Sequence, residues 1–148
     1  MIFDKKTNRY LDWVSLGPLR SSVVLMIGEK SPDLLYENKD IVNPPLTDST
    51  INEIKCCILD GMYPGNKGLE FDADGNFYIY MPKWSMEVFI HEAYHVTFNK
   101  LRMANISDSN GGEVGARIIE YLYIRFIEGI EKCHFKRIDS IERKRKQK

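Results

Sequence analysis

Apolar positions along the chain follow two rhythms, one of period two and one near 3.6, and turn-forming residues separate the segments that carry them. Ser22–Ile27 reads SVVLMI, a β-branched run stopped by Gly28, and predicts the first strand. Residues 68–82, GLEFDADGNFYIYMP, place two strand-like runs around Asp72-Ala73-Asp74-Gly75, which is hairpin chemistry. In the second run Phe77, Ile79 and Met81 alternate with Tyr78 and Tyr80, and Pro82 ends it. Residues 1–20 are less patterned, and Tyr10 to Leu16 reads as a short helix or turn before Gly17-Pro18. Ser31-Pro32 can open a helical turn.

The helical rhythm appears three times. After the breaker Asn43-Pro44-Pro45, residues 47–61 carry Ile51, Ile54 and Ile58 behind a TxxE capping box from Thr50 to Glu53, with Gly61 as the stop. Residues 85–104 gather Met86, Phe89, Ala93, Val96, Thr97 and Ala104 on one side, with Ile90 and Leu101 at its edge. Ser85 is placed to cap this helix, Glu87 to meet its dipole, and Trp84 and Phe89 to form a hydrophobic staple. A polar loop then leads to residues 113–132, whose core positions are Val114, Ile118, Ile119, Leu122, Phe126 and Ile130. A connection this short favours antiparallel packing of the two helices.

The fold class expected is α+β: a small, mainly antiparallel sheet packed against the helix of residues 85–104 and the helix that follows. At 148 residues, 43% hydrophobic and 28% charged, residues 1–135 read as a single domain. Residues 136–148 form a basic tail, with seven Lys/Arg against two Asp/Glu, although the whole chain has a formal net charge of zero. The tail leaves weak nucleic-acid contact open as a partner class. The start lacks the plan of a secretory signal and no long uncharged apolar run is present, so the expectation is a cytoplasmic protein without a membrane partner. Cys56, Cys57 and Cys133 form neither an even set nor a CxxC pair, which points to reduced thiols, with Cys56 and Cys57 expected in buried packing.

Residues 91–95, HEAYH, change the picture most. On a helix, positions i and i+4 share a face, so His91 and His95 can both reach one zinc ion, while Glu92 stands beside it as a proton acceptor. A catalytic zinc site takes three protein ligands. Candidates for the third are Glu113, Glu120, Asp108 and His134; Glu113, which opens the last helix after Gly111-Gly112, is preferred. Glu120 lies seven residues on, about 10 Å along the helix, so one ion cannot readily use both. The acids of the Asp72–Asp74 turn lack the further ligands of a calcium loop.

HEAYH followed by GGEVGARIIEYL resembles the zincin metallopeptidases of the glutamate-ligand type, in particular small phage-encoded or intracellular proteins of the ImmA/IrrE type. The likeness covers about a third of the chain. It implies a minimal zincin-like domain, Zn²⁺ held by His91, His95 and Glu113, and peptide-bond hydrolysis by a zinc-activated water with Glu92 as general base. A protein or peptide substrate would then lie along an edge strand beside the helix, and the likeness gives that edge position to the strand Asn76 to Met81. Two departures narrow the likeness. Arg117 stands where thermolysin-like enzymes carry an aspartate that supports a histidine, and His95 is followed by VTFNKL rather than the metzincin continuation. Tyr121, Tyr123, His134 and Arg117 are candidate oxyanion donors. Rival classes are a zinc-binding structural or interaction domain without turnover, and a nucleic-acid-associated phage or morphogenesis protein.

Overall fold

The computed structural model describes residues 1–43, 45–107 and 112–133. Five strands form one mixed sheet: β1 (Ile2–Asp4), β2 (Arg9–Ser15), β3 (Ser22–Ile27), β4 (Leu69–Ala73) and β5 (Asn76–Met81), in the spatial order β1-β2-β3-β5-β4. Three pairings are antiparallel, and β3 with β5 is parallel. The α+β class therefore holds, with more sheet than expected. Tyr10 to Leu16 is not helical: Arg9–Ser15 is a strand whose Tyr10, Leu11 and Val14 are buried, and a 3₁₀ turn (Gly17–Leu19) follows it.

The expected edge strand is a second correction. β5 lies inside the sheet, pairing with β3 from Val23↔Phe77 to Ile27↔Met81, and the edges belong to β1 and, beside β5, to β4. Burial explains why: both rows of β5, Phe77/Ile79/Met81 and Tyr78/Tyr80, are buried, whereas an edge strand leaves backbone groups open to solvent. The β4–β5 turn is formed by Asp74 and Gly75, both at positive φ (51° and 78°), as a two-residue hairpin of matching twist requires.

Helices cover both faces, which makes three layers. α1 (Ser31–Glu37) and α2 (Asp48–Gly61) pack with Leu11, Val24, Met26, Phe71, Tyr78 and Tyr80 on one side. α2 starts earlier than its capping-box pattern indicates, since the cap is Thr47, whose side chain accepts the Thr50 N–H, and Thr50 is buried inside the helix. Cys56 is exposed rather than packed, because it falls on the outer side of α2; Cys57 is half-buried, and both are free.

On the other face lie α3 (Met86–Met103) and α4 (Glu113–Lys132), over Tyr10, Val14, Val23, Leu25, Ile27, Phe77, Ile79 and Met81. Ser85 caps α3 by accepting the Val88 N–H, and the Trp84 and Phe89 rings meet at 5.8 Å, so cap and staple form as expected. Phe89 meets Phe126 edge-to-face at 6.1 Å. This joins the start of α3 to the latter half of α4 and makes the pair antiparallel. Of the expected core residues on these helices, Phe89, Ala93, Val96, Thr97, Leu122, Phe126 and Ile130 are buried, whereas Met86, Ala104 and Val114 are exposed. Among the described residues, no helix is long and apolar enough to cross a membrane.

Candidate metal centre

His91 and His95 project from the middle of α3 and turn toward each other. Their Nε2 atoms are 3.1 Å apart, with ring centroids at 4.7 Å and planes near perpendicular, at 77°. Two nitrogens on one tetrahedral zinc at 2.0–2.1 Å stand about 3.3 Å apart. The spacing of the pair is thus close to that of two ligands of one ion, and an imidazole Nε2 lone pair is a suitable zinc donor. Without an ion, the same contact is a hydrogen bond in which one ring donates and the other accepts.

Glu92 follows on the inner side of the helix and is 8% exposed. Burial pushes its carboxyl above the ordinary value, and the neighbouring His91 and His95 pull it partly back. A carboxyl in that state binds its proton more firmly than a solvated one, which suits a group that must accept and later release one. Over Glu92 lies the backbone before β4. A Cβ on Gly68 would collide with the Val88 side chain and sit 3.5 Å from the Glu92 carboxylate. Only glycine lets the chain pass this close. Asn66, Lys67 and Gly68 on one side and Val88, His91 and Glu92 on the other enclose a cleft of about 310 Å³.

β4 brings a further carboxylate to the same region. In the register Glu70 stands opposite Ile79, whose side chain is in the α3–α4 core, while its neighbours Leu69 and Phe71 pack on the α1–α2 side. The Asn99 side-chain amide donates to both Glu70 carboxylate oxygens, at 3.1 and 3.3 Å. Burial raises the Glu70 carboxyl, and the Asn99 bond and the His95 ring pull it down. Sequence reasoning missed Glu70 and Gly68, because their part in the site depends on a strand folding under a helix far along the chain. A two-residue alternation that leaves Glu70 on the side of Phe77 and Ile79 was the available signal.

Glu113 is elsewhere in this structure. It opens α4, is largely exposed, and pairs with Arg117 at 3.0 Å. Among the described residues, no three His, Cys, Asp or Glu side chains are gathered closely enough to hold a metal. The Phe89–Phe126 contact sets the level of the two helices: six residues on from Phe89 is His95, and six back from Phe126 is Glu120, so Glu113 lies about 10 Å farther along α4. Asp108 and His134 lie outside the described residues, as does the basic tail. Of the candidate oxyanion donors, Arg117 is engaged by Glu113, and the Tyr121 hydroxyl donates to the Ser15 carbonyl at 3.1 Å. Tyr123 is exposed.

α3 is also less enclosed than its pattern indicates. Tyr94 and Phe98 stack at 6.4 Å between ring centroids, and each is 57% exposed beside the histidine row. No protein-family model matches the chain, and no curated protein or solved structure is similar to it at a significant level.

Proposed function

We propose that the protein is a zinc-dependent metallopeptidase whose ion is held by His91, His95 and a glutamate at the start of α4. The observation that carries this reading is the 3.1 Å convergence of the two histidine Nε2 atoms with a buried carboxyl between them in sequence. A structural histidine pair gives no reason to bury Glu92, since an ionisable carboxyl inside an apolar layer costs stability unless it is used or paired.

Zinc, when bound, supplies Lewis acidity toward a water and a peptide carbonyl. The chain supplies the rest. His91 and His95 present neutral nitrogens from one helical face, and their four-residue spacing fixes the separation before any ion arrives. Glu92 takes a proton from the attacking water on its carboxylate and passes it to the amine that leaves. An extended peptide fits along β4, whose outer backbone groups lie free at the sheet edge beside α3 and can pair with it as an added strand. The expected role of β5 thus passes to its neighbour.

Glu113 is the proposed third ligand on the resemblance of HEAYH and GGEVGARIIEYL to glutamate-type zincins, and it must leave Arg117 to serve. The axial level of α3 and α4 favours Glu120 as the competing choice. The test of turnover uses zinc-loaded wild type and Glu92→Gln on a mixture of unfolded proteins, with new N-termini counted by mass spectrometry. Cleavage by wild type, absent from a Glu92→Gln variant that keeps its zinc, is expected. Equal cleavage by both, or none by a wild type holding one zinc per chain, contradicts it and leaves a binding domain without turnover.

A further inference from the structure

We propose that Glu70, on the free edge strand β4, is a positioning residue that accepts the His95 Nδ1–H and so fixes the ring for metal binding through Nε2. The inference rests on the zinc reading of the His91–His95 pair and adds to it a residue that the motif does not contain.

Three placements carry it. The β4–β5 register puts Glu70 opposite Ile79, on the sheet face that α3 covers. His91, His95 and Asn99 follow one another at four-residue steps and form one ridge of α3, and Asn99, one turn beyond His95, binds both oxygens of Glu70. The carboxylate is thereby pinned beside the ridge, one helical turn from His95. Meanwhile His95 turns Nε2 toward His91, and its Nδ1 has no hydrogen-bond partner among the described residues; Glu70 is held by Asn99 here, and a small turn of the His95 ring or of the carboxylate makes the proposed bond.

Chemistry makes the two groups complementary. A carboxylate offers about four lone-pair sites, and the single Asn99 amide group leaves most of them open. Among the described residues no cation pairs with Glu70, and its side-chain hydrogen-bond partner is the Asn99 amide. A neutral histidine that binds metal through Nε2 carries its proton on Nδ1, and a carboxylate receiving that proton fixes the tautomer and the ring plane. With Arg117 in place of the aspartate that performs this task in thermolysin-like enzymes, β4 supplies it from the opposite side of the helix.

The experiment uses the full chain, with zinc affinity measured by competition with a chelating dye and the histidine tautomers read by long-range ¹H–¹⁵N spectra. Only three histidines contribute signals. In zinc-loaded wild type, His95 is expected as the Nδ1–H tautomer with a proton slow to exchange with water. Glu70→Ala should weaken zinc binding about 10–100-fold and lose that slow proton. Glu70→Gln, which keeps an accepting oxygen, should fall between the two and decides the matter if the alanine variant does not fold. Unchanged affinity and an unchanged His95 signal in a folded Glu70 variant overturn this role alone. A wild type that binds no zinc overturns it together with the reading on which it rests.

Discussion

The two faces of the sheet differ in the polar groups they bury: charged side chains are buried on one of them only. On the α1–α2 face, the buried Ser31 and Thr50 close local turns: Ser31 Oγ donates to Gly28 O at 2.7 Å, and Thr50 sits within the Thr47 cap. On the α3–α4 face Thr97 bonds locally, to the Ala93 carbonyl at 2.8 Å, but the buried polar groups also include charges, and further bonds there cross the chain. Lys100 reaches Ser21 Oγ at 2.7 Å, Asn99 reaches Glu70, and Glu92 lies under Gly68. Local bonds of the first kind stabilise the turn that makes them. Buried charges with few partners cost stability, and the proposed chemistry lies on the face that keeps them.

Core truncation gives the largest expected effect and should not distinguish the faces. Phe126→Ala on one side should cost about 3–5 kcal/mol and Ile54→Ala on the other about 2–5 kcal/mol, since each removes a fully buried side chain. Denaturant unfolding at equilibrium measures both. A loss below 1 kcal/mol for Phe126 would mean that α4 is not docked where it lies here.

Gly68→Ala tests the close passage over the site. Its new methyl must displace Val88 and press on Glu92, at a cost of about 1–3 kcal/mol. A neutral result would show the loop free to lift away from α3.

The polar groups themselves separate the faces by sign. Thr47→Ala, which removes the α2 cap, should lower stability by about 1 kcal/mol. Glu92→Gln should raise the melting temperature of the metal-free protein at neutral pH. The sign follows from the raised carboxyl: the folded chain holds this proton more firmly than the unfolded chain, so the contribution is complete below the unfolded value near 4.3 and is lost as pH rises through the folded one. The amide does not ionise, so the advantage of the variant over wild type should grow with pH across that window. A melting temperature lowered equally at pH 4 and pH 7 would place Glu92 among the structural groups.

Contacts near in sequence were the legible ones. Ser85 with Val88, Trp84 with Phe89, the Asp74-Gly75 turn and the His91–His95 pair each join residues within five positions, and local spacing suffices to foresee them. The parallel pairing of β3 with β5 joins residues 54 positions apart, such as Val23 and Phe77, and no local pattern announces it. That pairing makes β4 the edge and puts Glu70 under α3. The edge position expected for β5 came with the zincin likeness and not from its own residues, whose two buried rows belong to a strand inside the sheet. The residues flanking the motif helix were hidden as the β3–β5 pairing was: Gly68 and Glu70 owe their place to tertiary packing.

The central claim is that one metal ion is held by the His91–His95 pair and a glutamate of α4, and metal content tests it most directly. Purified wild type should carry one zinc per chain, His95→Ala and Glu113→Ala should carry none, and Glu120→Ala should keep it. Loss with Glu120 and retention with Glu113 would move the third ligand one step along α4. Zinc retained in all three variants, or absent from wild type under saturating zinc, would contradict the account.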